Sequence, residues 1–278
     1  MPYLEIANLS VAIPLPAGAV NAVRGVSLTV EKGEIFGLVG ESGSGKTITC
    51  MTLSGLAPKE ASVTADRLSL DGINLLNADW RSVRGSRVAM IFQDPAAALN
   101  PVFTIGSQID MALRRHTKLV KSARQSRIEE LLRDVGLPDP GDIARRYAHQ
   151  LSGGMQQRAM IALALSAGAD LLIADEPTTA LDVTIQAQIL RLLKGLRERY
   201  ALTILFITHD LGVVANICDR AAVLRLGQVM EIGPVDELLR QPKHPYTKAL
   251  LEALPTRANR GRRLKTVPAE LAVEEELQ

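Results

Sequence analysis

Residues 40–47 read Gly40-Glu41-Ser42-Gly43-Ser44-Gly45-Lys46-Thr47. The spacing fits G-x-x-x-x-G-K-[ST], a loop built to cradle phosphate groups. Glycines let the backbone take conformations that a Cβ forbids and come close to a ligand. Successive N–H groups then converge into an anion nest, and a following helix adds the positive end of its dipole. In such a loop the Lys46 ammonium reaches β- and γ-phosphates and the Thr47 hydroxyl ligates Mg2+. The motif marks a nucleotide binder without saying which kind.

Two further stretches carry chemistry. Leu151-Ser152-Gly153-Gly154-Met155-Gln156-Gln157 precedes a helical run over 158–166. A serine and two glycines at a helix start make a second anion-facing end, far in sequence from the first. The apolar run Leu171-Leu172-Ile173-Ala174 ends at Asp175-Glu176. Two carboxylates at the end of a buried strand are costly without a cation or partner.

The elements that position these groups follow from local patterning. Residues 34–39 form an apolar strand entering the phosphate loop, and 47–56 the helix leaving it. Residues 3–13 and 23–30 read as two earlier strands with no βαβ crossover between them, hence a small antiparallel sheet ahead of an α/β core. Residues 68–72 are a strand running into a turn, and 87–92 a buried strand stopped by Gln93-Asp94-Pro95. From 104 to 165 the pattern is helical. Ile128, Leu131, Leu132 and Val135 share one face, and Gly136 and Pro138 close that helix. This is a helical subdomain inserted in the core, at about 95–166. Residues 171–174 and Thr203–Thr208 are continuous apolar strands of the kind buried on both faces of a parallel sheet. Ile189, Leu192, Leu193 and Leu196 form a packing stripe between them. Residues 221–226 and 229–232 read as a hairpin around Gly227-Gln228, and 235–255 as a short helix with His244-Pro245-Tyr246. The tail from Arg257 is basic, then acidic at 274–276, and is expected to be mobile.

Composition bounds the rest. A chain of 278 residues, 47% hydrophobic, can bury a large core. A net charge of +2 gives no strong field for nucleic acid. Cys50 and Cys218 are far apart and outside any metal-ligand spacing, as expected of reduced core thiols. The first residues carry no signal-peptide pattern, and no apolar run approaches the ~18–20 residues of a membrane span. A membrane role would need other subunits to cross the bilayer.

With these motifs in place, the chain resembles the ATP-binding cassette (ABC) ATPases, whose defining segment is LSGGQ. The resemblance covers residues 4–255 and implies a P-loop NTPase core, an α/β fold with an antiparallel β subdomain, an inserted helical subdomain and a short C-terminal extension. It implies a nucleotide-binding domain over 1–234 and an extension over 235–278. ATP and Mg2+ are the implied cofactors. Residues 40–47 would bind the phosphates of ATP. Residues 171–176 resemble Walker B, with Asp175, Thr47 and Gln93 as metal ligands and Glu176 as the general base. Ala180-Leu181-Asp182 looks like the D-loop, His209 like the switch histidine, and Gln93 like the Q-loop glutamine that faces a transmembrane partner. Lys46, Gln93, Glu176 and His209 are thus the implied catalytic set. In the family, Ser152, Gly153 and Gly154 of one subunit close over the ATP of another, so two half-sites in one chain fit a head-to-tail dimer.

Finer matches resemble the oligopeptide/dipeptide/nickel importer branch. They are Gly40 to Lys46, Phe92-Gln93-Asp94-Pro95 with Leu99-Asn100-Pro101, Leu151 to Met155, and His244-Pro245-Tyr246-Thr247-Lys248-Ala249-Leu250-Leu251. Arg84-Gly85 and Met90-Ile91-Phe92 favour the D-type subunit. The resemblance implies ATP-driven uptake of peptides or a related small solute. The partners would be two transmembrane permease subunits, a second ATPase (an F-type paralogue or another copy) and, indirectly, an extracytoplasmic solute-binding protein. No nucleic acid is implied. The location would be peripheral, at the cytoplasmic face of the bacterial inner membrane.

Three departures stand out. Ile13 falls where the family places an adenine-stacking aromatic, so a reduced preference for ATP over GTP is expected; stacking contributes ~1–3 kcal/mol. Gln156 follows the signature where relatives often have arginine. The cysteine cluster that some relatives carry in the C-terminal extension has no counterpart here, so no iron–sulfur centre is expected. The rivals are a non-transport ABC ATPase of the iron–sulfur assembly type, which would lack the His244-Pro245-Tyr246 segment, and a nucleic-acid ABC protein, which would carry two cassettes or a long coiled-coil insertion.

Overall fold

A computed structural model describes residues 2–16, 18–179 and 181–253. The tail expected to be mobile and Ala180 of the expected D-loop lie outside the described residues.

The chain starts with β1 (Leu4–Leu15) and β2 (Gly18–Val30), followed by β3 (Ile35–Val39) and α1 (Lys46–Leu53). Three short strands come next, β4 (Ser62–Thr64), β5 (Arg67–Leu70) and β6 (Ile73–Asn74), then α2 (Trp80–Val83) and β7 (Val88–Ile91). Five helices follow: α3 (Pro95–Ala98), α4 (Ile105–His116), α5 (Lys121–Asp134), α6 (Pro140–Arg145) and α7 (Gly153–Ser166). The chain then runs through β8 (Leu171–Asp175), α8 (Val183–Tyr200), β9 (Thr203–Thr208) and α9 (Leu211–Ile217). It closes with β10 (Arg220–Arg225), β11 (Gln228–Pro234), α10 (Val235–Arg240) and α11 (Pro245–Glu252).

Two sheets result. One is antiparallel, in the order β2-β1-β5-β6, with β4 also pairing to β1. The other runs β11-β10-β3-β9-β8-β7, parallel throughout except for the β10–β11 hairpin. The α/β core with an antiparallel sheet and inserted helices is thus the expected architecture.

The parallel strands are apolar along their whole length because both faces are covered. On β9, Ile204 and Phe206 face the helical side with α5, α7 and α8, while Leu205 and Ile207 face α1 and the antiparallel sheet. The predicted stripe of α5 is buried, Ile128, Leu131, Leu132 and Val135 each at 3% exposure or less. Gly136 follows with a positive φ of 71°, as a helix-terminating glycine should.

Three local readings differ. The β10–β11 turn is Leu226-Gly227, one residue earlier than expected, because both take positive φ (45° and 85°) as a two-residue hairpin demands. The segment after Pro234 holds two helices rather than one. β4 was not anticipated; three residues pairing on an edge leave too short a pattern.

Candidate functional site

The phosphate loop runs from the end of β3 to α1, and two glycines show why it needs them. Gly45 is the N-cap of α1 with φ 94°, and a Cβ there would lie 2.5 Å from the Ala22 carbonyl oxygen. Gly40 has ordinary φ, but a Cβ would lie 2.2 Å from the Leu224 carbonyl oxygen on β10. So Gly40 serves the close approach of β10 as much as any ligand.

Lys46 is buried at 4% exposure. Its Nζ donates to the Gly40 and Glu41 carbonyls, both at 2.7 Å, and to Ser44 Oγ at 3.2 Å. Burial lowers its pKa, against the pull of Glu176 and Asp175. A cavity of about 700 Å³ opens over the loop. Residues 41–47 line it together with Gln93, Glu176 and His209. Residues from four strand ends thus converge on one space, at the carboxyl ends of the parallel strands, where open α/β sheets bind ligands.

Glu176 follows β8 with a positive φ of 45°, a conformation rare outside glycine. Its amide donates to the Ile207 carbonyl of β9 at 3.0 Å. Its Oε2 accepts from Gln93 Nε2 at 3.3 Å and from the Thr179 hydroxyl at 2.8 Å, and lies 3.3 Å from His209 Nδ1. The preceding Asp175 accepts from the Thr47 hydroxyl at 3.4 Å. Burial, then the neighbouring Glu176 charge, raises the Asp175 pKa. Thr47, Asp175 and the amide oxygen of Gln93 are hard oxygen donors beside the Glu176 carboxylate, a set suited to Mg2+.

The Ser152 segment lies in a different cavity. Ser152 is the N-cap of α7 but its hydroxyl makes no capping bond. It shares a cavity of about 590 Å³ with Gly153, Gly154 and Asp182. The Asp182 carboxylate caps α8 through the Ile185 amide at 2.9 Å. Gln156 donates to the Ala148 and Leu151 carbonyls at 2.9 and 3.2 Å and so fixes the loop ahead of the signature. The expected site residues therefore fall into two groups, 40–47 with Gln93, Asp175, Glu176 and His209, and 152–154 with Asp182.

Ile13 does not join either group. It pairs with Val20 across β1–β2, and the hairpin residue at the rim of the phosphate cavity is Ala22. The β1–β2 register shifts at three places, which defeats simple counting along the strand. Thr179 was missed, although its place three residues after Glu176 was a usable signal. Ala22 had none.

Comparison with known proteins agrees with this geometry. Residues 23–179 match the family described as "ABC transporter", and residues 230–278 match "Oligopeptide/dipeptide transporter, C-terminal region". The dipeptide transport ATP-binding protein DppD of Bacillus subtilis (strain 168) is 49% identical over 256 residues, 91% of this chain and 76% of that protein. The oligopeptide transport ATP-binding protein OppD of the same organism is 46% identical over 264 residues, 93% of this chain and 73% of that protein. Among solved structures, the dimeric ATP-binding cassette MJ0796 bound to ADP and Pi superposes with a TM-score of 0.73 at 28% identity, over 84% of this chain and 98% of that one. CbiO1 from Clostridium perfringens has the same fold, with a TM-score of 0.74 at 24% identity over 86% of this chain and 91% of that one.

Proposed function

The chain belongs to the ABC transporter ATPases, and from that premise we propose that it is the ATP-hydrolysing subunit of a dipeptide or oligopeptide importer. The observation that carries the reading is the split of the site. The 40–47 loop meets Glu176, His209 and Gln93 in one cavity, while Ser152, Gly153 and Gly154 sit in another. Neither half is complete, so two chains would close head to tail over two ATP molecules. The non-transport alternative is not favoured, because the C-terminal region matches that of peptide transporters.

In this reading the loop amides and Lys46 hold the β- and γ-phosphates. Thr47, Asp175 and Gln93 would hold Mg2+, which would neutralise phosphate charge. Glu176 takes a proton from the attacking water as its oxygen bonds to the γ-phosphorus and the bond to the β,γ-bridging oxygen breaks. Gln93, Thr179 and His209 fix the carboxylate for that transfer. Ser152 and the glycines after it would close on the γ-phosphate from the second subunit.

Among the described residues no helix is long and apolar enough to cross a membrane. The chain would work at the cytoplasmic face of the bacterial plasma membrane, bound to two permease subunits and a second ATPase, a paralogue or another copy. Exposed Phe103 and Met111 line a groove beside α4 and α5 that suits a permease contact. Pull-down of the tagged chain from gently solubilised membranes tests this. Two multi-span subunits and a second ATPase are the expected partners; soluble partners alone would contradict the importer.

A further inference from the structure

The C-terminal extension reaches the back of the phosphate loop through one side chain. Tyr246, in the first turn of α11, is fully buried. It belongs to one buried cluster with Val39, the last residue before the loop, and Val223 of β10. The Arg225 guanidinium lies over the ring, 4.7 Å from its centroid. Around it, β10 and its turn press on the loop. The Leu224 carbonyl abuts Gly40, and the Gly227 amide donates to the Ser44 carbonyl at 3.1 Å. The helix is fixed in turn by β11, since the Glu231 carboxylate accepts from the Lys243 and His244 amides at 2.8 and 3.1 Å.

The Tyr246 hydroxyl is buried, and no hydrogen bond of ordinary geometry satisfies it. A buried donor without a partner is unusual and calls for an explanation. Glu41 of the phosphate loop is the carboxylate whose charge acts on it. Burial first, then the Glu41 charge and the approach of its side chain, push the hydroxyl up to about 12, with Arg225 and the Glu41 backbone opposing. It therefore stays a proton donor at neutral pH. Glu41 is also the residue whose carbonyl holds Lys46 Nζ, and it lines the nucleotide cavity.

We propose that Tyr246 is a positioning residue for nucleotide binding: its hydroxyl engages the Glu41 side chain when the loop closes on phosphate, and so sets the Glu41–Lys46 end of the loop. The C-terminal helix then acts on nucleotide affinity through β10 and the loop, without touching the ligand. This rests on the nucleotide reading of residues 40–47.

Tyr246→Phe keeps the ring, its packing and the Arg225 contact, and removes only the hydroxyl. In the full-length chain, titrated with ATP and Mg2+, we expect a rise in Kd and KM of roughly fivefold, with kcat changed less than about twofold. Because no hydrogen bond of ordinary geometry is lost, Tm should stay level, and a level Tm separates the effect from lost folding stability. Glu41→Ala should weaken binding similarly, and Tyr246→Phe should add nothing in that background. Unchanged ATP affinity in Tyr246→Phe, or additive losses in the double variant, would overturn the proposal. Lys46→Ala run alongside separates the two readings. If it loses ATP affinity while Tyr246→Phe does not, the phosphate loop stands and the Tyr246 role falls.

Discussion

His209 Nδ1 lies 3.3 Å from Glu176 Oε2, although 32 residues of chain, with the whole of α8 and β9, separate them. The pairing exists because β8 and β9 are adjacent and parallel, so their carboxyl ends bring successive loops to one point. Gln93, from the end of β7, reaches the same carboxylate oxygen.

That convergence makes Glu176 the group to remove first. Glu176→Gln keeps the shape and loses the base. Turnover should fall by about two to four orders of magnitude with ATP binding retained and the closed dimer accumulating. Hydrolysis assays with nucleotide-binding titrations and a sizing column check this. Near-normal turnover would remove Glu176 as the base.

Lys46→Ala removes a buried ammonium with three acceptors. ATP affinity should fall roughly ten- to a hundredfold, as expected for charge-assisted hydrogen bonds to phosphate. Isothermal titration reads it directly.

Gly40→Ala is a test of packing. The added methyl would meet the Leu224 carbonyl oxygen at 2.2 Å, and backbone cannot step aside cheaply. The variant should lose about 2 kcal/mol of stability or more in urea unfolding. Little or no loss would mean that β10 and the loop are not as close as the structure has them.

Asp110 joins α4 to α5. It pairs with Arg124 at 2.6 Å and Arg114 at 2.7 Å. The Arg124 hydrogen bond, against a burial penalty, holds its carboxyl below the usual range. A carboxylate with a folded pKa below its unfolded value stabilises above the unfolded pKa, near ~3.9. The contribution is lost as pH falls through the folded pKa. Asp110→Asn should therefore be less stable than the parent chain at pH 7, with the gap closing as pH is lowered below about 4. A gap that persists unchanged into acid would show that the ion pairs contribute nothing.

Much of this was legible in the sequence because the informative signals are local. Residues 40–47 carry their own spacing, and the run 171–176 announces a buried strand ending in two carboxylates. The α5 stripe and its terminating Gly136 needed only helical periodicity. What failed depended on long-range pairing. The β2 residue at the rim of the phosphate cavity, Ala22, gave no signal, because the β1–β2 ladder shifts register at three places. The Gly40–Leu224 approach and the burial of Tyr246 behind the loop join segments about 180 to 200 residues apart, by way of the β3–β10 pairing. No window of sequence contains both halves of those contacts.

The most direct test of the account is uptake in sealed vesicles holding the chain with its permease and ATPase partners and the solute-binding protein. A labelled dipeptide or oligopeptide should enter only with ATP on the side of this chain, and Glu176→Gln should stop it while leaving the complex assembled. ATP hydrolysis with no peptide movement, or uptake that survives the substitution, would contradict a peptide importer driven by this site.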